Sequence, residues 1–66
     1  MELTVNGENT DYDGEATLAG LVASMDADPE RVATMLNDEI VKQEGRAAAA
    51  LSEGDRVEIL SFAGGG

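Results

Sequence analysis

The stretch Gly54-Asp55-Arg56-Val57-Glu58-Ile59-Leu60-Ser61-Phe62-Ala63-Gly64-Gly65-Gly66 joins a strong strand signal directly to a run of glycines. Arg56 to Phe62 reads as a strand, whose side chains alternate between two faces. Val57 and Ile59 then point into a core. The opposite face carries Arg56 and Glu58, but also Leu60 and Phe62, apolar where a solvated face is polar. Glycine has the largest entropic cost of ordering and no side chain to pack, so Gly64, Gly65 and Gly66 add nothing to a fold. A frayed end is one reading of them. The other is that the terminal carboxylate is the reacting group. Three extended residues reach about 10 Å, and without Cβ atoms they can thread a narrow channel in whichever enzyme receives them. Ordering such an arm costs roughly 1–2 kcal/mol per residue, while each well-buried apolar side chain contributes about 1.5–3 kcal/mol. A docking patch of Leu60 and Phe62 beside the arm therefore makes physical sense. Met35, on the outer parity of a strand expected beside this one, joins it.

The rest of the chain supplies partners for that strand. Met1 to Val5 alternates apolar and polar, and Asn6-Gly7 is the strongest two-residue hairpin signal because both residues accept positive φ. Glu8 to Tyr12 is then a polar returning edge strand, with Tyr12 turned inward. Asp13-Gly14 breaks it, and Thr17 reads as a helix N-cap. Leu18, Leu21, Val22 and Met25 form one apolar stripe of an amphipathic helix. Asp26 to Glu30, with Pro29, is a loop. Arg31 to Leu36 is a strand with Val32, Thr34 and Leu36 on one side; Asn37-Asp38 turns it into Glu39-Ile40-Val41. Arg46 to Leu51, with four alanines, predicts a short helix stopped at Gly54. The fold class is α+β: a mixed sheet packed on one main helix, with a domain over residues 1–62 and a flexible glycine tail over 63–66.

Composition narrows the function classes. The 66 residues contain no cysteine or histidine, and 14 acids against 4 bases leave a net charge of −10. Disulfides, thiolate metal sites and the usual catalytic base are thereby excluded. The charge opposes nucleic acid and anionic membrane but suits basic protein surfaces. No apolar run reaches the length of a membrane span and no signal-peptide pattern begins the chain, so a cytoplasmic, monomeric domain is expected. The acid pairs Asp26/Asp28 and Asp11/Asp13 lack the spacing of a calcium loop and read as solvated charge. Lys42, the one lysine, reads as an ordinary surface residue. An independent enzyme is not expected.

Taken together, the Asn6-Gly7 hairpin, the Thr17-capped helix, Leu36-Asn37-Asp38-Glu39-Ile40-Val41, Gly54-Asp55-Arg56-Val57-Glu58-Ile59 and the final glycines resemble the thiamine-biosynthesis sulfur carriers (ThiS type). The resemblance covers the whole chain. Asp38 stands where that family often has glycine, and Ala47–Ala50 lacks an aromatic residue frequent there. The resemblance implies the ubiquitin-like β-grasp fold and a carrier rather than an enzyme. A ThiF-type adenylyltransferase would use MgATP to adenylate Gly66, with Gly65 and Gly64 threading its channel; the carrier itself holds no cofactor. Sulfur derived indirectly from a cysteine desulfurase would convert the adenylate into a thiocarboxylate, for donation to a thiazole synthase (ThiG type). The alternatives are a carrier for another acceptor (the molybdopterin synthase small subunit, or tRNA thiolation) and a non-covalent interaction module of the same fold.

Overall fold

The structure of the protein, a computed structural model, describes residues 1–61. Phe62, the tail expected over 63–66 and the boundary between tail and domain lie outside the described residues. Five strands form one sheet in the order β2-β1-β5-β3-β4. They are β1 (Glu2–Val5), β2 (Glu8–Asp11), β3 (Val32–Leu36), β4 (Glu39–Val41) and β5 (Arg56–Ser61). The helix α1 (Leu18–Ser24) and a 3-10 helix (Gln43–Ala48) complete the domain. β1 and β5 run parallel at the centre of the sheet, and the other pairs are antiparallel. This is the mixed sheet on one main helix that the sequence predicts.

Turn chemistry sets the register. Val5 pairs with Glu8, leaving Asn6-Gly7 as a two-residue turn with φ of 51° and 82°. Leu36 pairs with Glu39, leaving Asn37-Asp38 with φ of 51° and 72°. Both turns have positive φ at both positions, the backbone whose twist matches paired strands. Asp38 meets this demand without a glycine, and its carboxylate accepts from Arg56 Nη2 at 2.6 Å.

The core lies between the sheet and α1. Leu3, Val5, Val32, Val57 and Ile59 from the sheet meet Leu18, Leu21 and Val22 from the helix. Thr17 caps α1, its Oγ1 accepting from the Gly20 N–H at 3.1 Å. Tyr12 is buried as expected, just beyond the end of the edge strand β2, and its hydroxyl donates to the Glu15 carbonyl at 2.6 Å.

Two expectations need correction. Met25 does not continue the buried stripe: α1 ends at Ser24 and Met25 is 44 % exposed. The last turn closes through i→i+3 bonds, Met25 N–H to Val22 O and Asp26 N–H to Ala23 O, both 3.2 Å. That tighter winding carries Met25 past the apolar face, and Asp26, at φ 57°, turns the chain away. The second helix is a 3-10 helix over Gln43–Ala48 rather than a helix over Arg46–Leu51. Ala49 O accepts from Leu18 N–H, Leu51 N–H donates to Ala16 O, and Ala50 bridges to Thr17. Pairing with the segment before α1 thus overrides the helix propensity of the alanines.

Candidate functional site

The outer face of the sheet, opposite α1, is where the expected docking residues fall. Leu60 is 56 % exposed and Met35 is half-buried. Leu60 is opposite Ala33, and Met35 is opposite Glu58. Leu60 and Met35 are therefore diagonal neighbours on one face, about 7–8 Å apart in such a ladder. Phe62, Gly64, Gly65 and Gly66 belong to the same expected site and lie outside the described residues.

Ile40 belongs to this face and was not expected there. It is opposite Met35 on β4 and is 76 % exposed. Ile40, Met35, Ala33 and Leu60 consequently form an apolar stripe across β4, β3 and β5, with exposed Glu58 beside it. The signal for Ile40 was available in the hairpin itself. A two-residue turn at Asn37-Asp38 forces Leu36 opposite Glu39, and hence Ile40 onto the face of Met35.

β5, the last described strand, is gripped from both flanks by turn asparagines. Asn37 accepts from the Arg56 N–H at 2.9 Å through Oδ1, and its own N–H donates to Arg56 O at 2.8 Å. Asn6 accepts from the Ile59 N–H at 2.8 Å and donates through Nδ2 to Ile59 O at 3.2 Å. Neither side-chain role was read from the sequence, where both asparagines registered only as turn formers.

A third unforeseen residue anchors the opposite face. Arg46 is 4 % exposed. Its Nε donates to Thr34 Oγ1 at 3.0 Å, Nη1 to Pro29 O at 2.8 Å and Nη2 to Val32 O at 2.8 Å. These bonds tie the 3-10 helix to β3 and to the Pro29 loop. Beside it a groove of about 530 Å³ opens between α1 and the 3-10 helix, walled largely by Ala19, Ala23, Ala27 and Ala47. Asp26 and Asp28 also line the groove and are exposed, and Arg46 is already engaged by its three acceptors.

The acid pairs are solvated. Asp11, Asp13, Asp26 and Asp28 are all exposed. Asp28 pairs with Arg31 at 3.5 Å and accepts from the Glu30 N–H. Among the described residues no three acidic, histidine or cysteine side chains converge as a metal site. No helix among them is long and apolar enough to cross a membrane.

The sequence and fold have known relatives. The model of the ThiS family matches residues 3–66. A thiazole synthase of Paramagnetospirillum magneticum is 36 % identical over all 66 residues, and one of Magnetococcus marinus is 35 % identical. The chain spans about 20 % of the length of each of these two proteins. A crystal structure of the thiamine biosynthesis protein ThiS from Geobacter metallireducens superposes with a TM-score of 0.81 at 38 % identity, covering both chains fully. An NMR structure of a thiamine biosynthesis protein from the same organism gives 0.80 at 38 % identity, covering this chain fully and 88 % of the other. With nearly every residue matched and the same five-stranded sheet on one helix, this chain belongs to the ThiS family and has its ubiquitin-like β-grasp fold.

Proposed function

We propose that this chain is a sulfur carrier in thiamine biosynthesis, and that the carboxylate of Gly66 is the group it carries sulfur on. The observation that carries this reading is the match to the ThiS family, which reaches residue 66 itself. The chain is a co-substrate on this reading, not a catalyst. A ThiF-type adenylyltransferase transfers AMP from MgATP to the Gly66 carboxylate, releasing pyrophosphate and leaving a carbonyl open to attack. A persulfide sulfur, supplied through a cysteine desulfurase, displaces AMP. A second thiol then reduces the S–S bond of the acyl disulfide, and the carrier leaves with a terminal thiocarboxylate. Gly65 and Gly64 thread the enzyme channel, where a Cβ would collide. Leu60, Met35 and Ile40 supply the docking area, with Phe62 continuing the parity of Leu60. The acceptor is a thiazole synthase: this sequence is matched along its whole length within two proteins of that name.

The test is mass analysis after incubation with a ThiF-type enzyme, MgATP and a sulfur source. Exchange of oxygen for sulfur resembles methionine oxidation in mass, and Met1, Met25 and Met35 can all oxidise. The shift must therefore be localised to the fragment ending at Gly66. An unmodified fragment after a competent reaction refutes the carrier reading. A chain extended beyond Gly66 should lose transfer and keep its fold, whereas a non-covalent docking module would be indifferent to the extension.

A further inference from the structure

We propose that Asn6 is a positioning residue for the reactive end of the carrier. Its side-chain amide acts as a surrogate peptide group that fixes the last residues of β5 for the activating enzyme. This deepens the carrier reading and rests on it.

The two flanks of β5 are unequally supported. On the β3 side the ladder runs from Leu36↔Val57 to Val32↔Ser61. On the β1 side it contains only Thr4↔Arg56 and Val5↔Val57. Thr4 N–H reaches Asp55 O and Asn6 N–H reaches Val57 O, so alternate residues of β5 aim their polar backbone groups at β1. Ile59 is next in that alternation, but the β1 chain has by then turned into the hairpin. The Asn6 carboxamide fills the place, accepting from Ile59 N–H at 2.8 Å and donating to Ile59 O at 3.2 Å. It thereby extends the ladder toward Leu60 and Ser61, where the docking stripe meets the exit of the strand.

The position makes two demands that asparagine satisfies together. Its φ of 51° is left-handed, and the side chain must offer one donor and one acceptor. Glycine meets the first demand only. Aspartate tolerates the backbone and keeps the acceptor, but sets a carboxylate against the Ile59 carbonyl. Asn37 is the internal control, since it occupies the equivalent turn position at φ 51° yet grips Arg56 at the start of β5.

The experiment compares N6G, N6D and N37G with the wild type in two measurements. In the free proteins, N6G, which removes the acceptor, should speed amide exchange at Ile59 by about two- to tenfold, the worth of one net hydrogen bond, whereas N6D, which keeps the acceptor, should speed it less. N37G should leave that amide unchanged. In thiocarboxylate formation with the ThiF-type enzyme, MgATP and a sulfur source, N6G should raise KM by a similar factor at unchanged kcat, N6D should raise it less, and N37G should keep the wild-type KM. A merely structural role would move the Asn6 and Asn37 variants alike. Unchanged exchange at Ile59 in N6G, an unchanged KM for N6G despite faster exchange, or an equal rise in KM for N37G each overturns the inference. A wild-type chain that is never charged refutes the carrier reading and this inference with it.

Discussion

At Tyr12, burial and a backbone acceptor act on one hydroxyl. Burial raises its pKa above the ordinary value near 10, and the Glu15 carboxylate adds to the shift. The folded state therefore holds this proton more tightly than the unfolded chain does. The associated stability is intact below about pH 10 and is lost as pH rises through the raised folded value. Thermal unfolding between about pH 8 and 12 should show the wild type weakening more steeply than Y12F above that point. At about pH 8 the variant should be less stable by about 1 kcal/mol, the net worth of the bond to Glu15 O. Parallel pH profiles for the two proteins would contradict this. Arg46 shows the limit of reading single residues. A lone arginine before four alanines looks like the exposed start of a helix, and nothing local announces that its acceptors are Thr34, Pro29 and Val32.

In α1, two effects oppose each other at Gly20. Alanine is the better helix former by about 1 kcal/mol. A Cβ here, however, would stand 2.9 Å from Glu15 O and 3.0 Å from the Tyr12 hydroxyl. Backbone cannot yield as a long side chain can, so the close approach outweighs the propensity. G20A should lower the unfolding midpoint in chemical denaturation, whereas a rise in midpoint would show that the loop gives way. The elements legible in the sequence were those specified by neighbours in sequence. Asn6-Gly7 and Asn37-Asp38 set both hairpins, Thr17 set the start of α1, and the alternation of Val57 and Ile59 set the faces of β5. Parity likewise brought Leu60 and Met35 to one face. What was missed depends on partners far along the chain. Thr17 and Ala50 form a bridge that no local pattern encodes, and Arg46 shapes the 3-10 helix through residues 12 to 17 positions away. Likewise the two asparagine amides bond to β5 across 19 and 53 positions.

Over the whole molecule, the net charge of −10 acts at long range and the stripe of Ile40, Met35 and Leu60 acts only on contact. These should separate in the kinetics of binding to the adenylyltransferase proposed above as this chain's partner. Charge accelerates encounter with a basic surface and is screened once the Debye length falls below the approach distance. Raising salt from about 50 to 500 mM should therefore slow association by roughly tenfold while changing dissociation little. Apolar contact acts in the opposite sense. Leu60 and Ile40 are 56 % and 76 % exposed in the free chain, so both have area left to bury on docking and neither supports the core. Burying part of each side chain is worth about 1 kcal/mol, so L60A and I40A should each speed dissociation by roughly fivefold. Both variants should keep the wild-type unfolding midpoint and the wild-type dependence of association on salt. Association indifferent to salt would remove steering by the acidic surface. Dissociation unchanged in both variants would place the contact on another face of the sheet, because no other exposed apolar side chains of this size adjoin Met35 among the described residues.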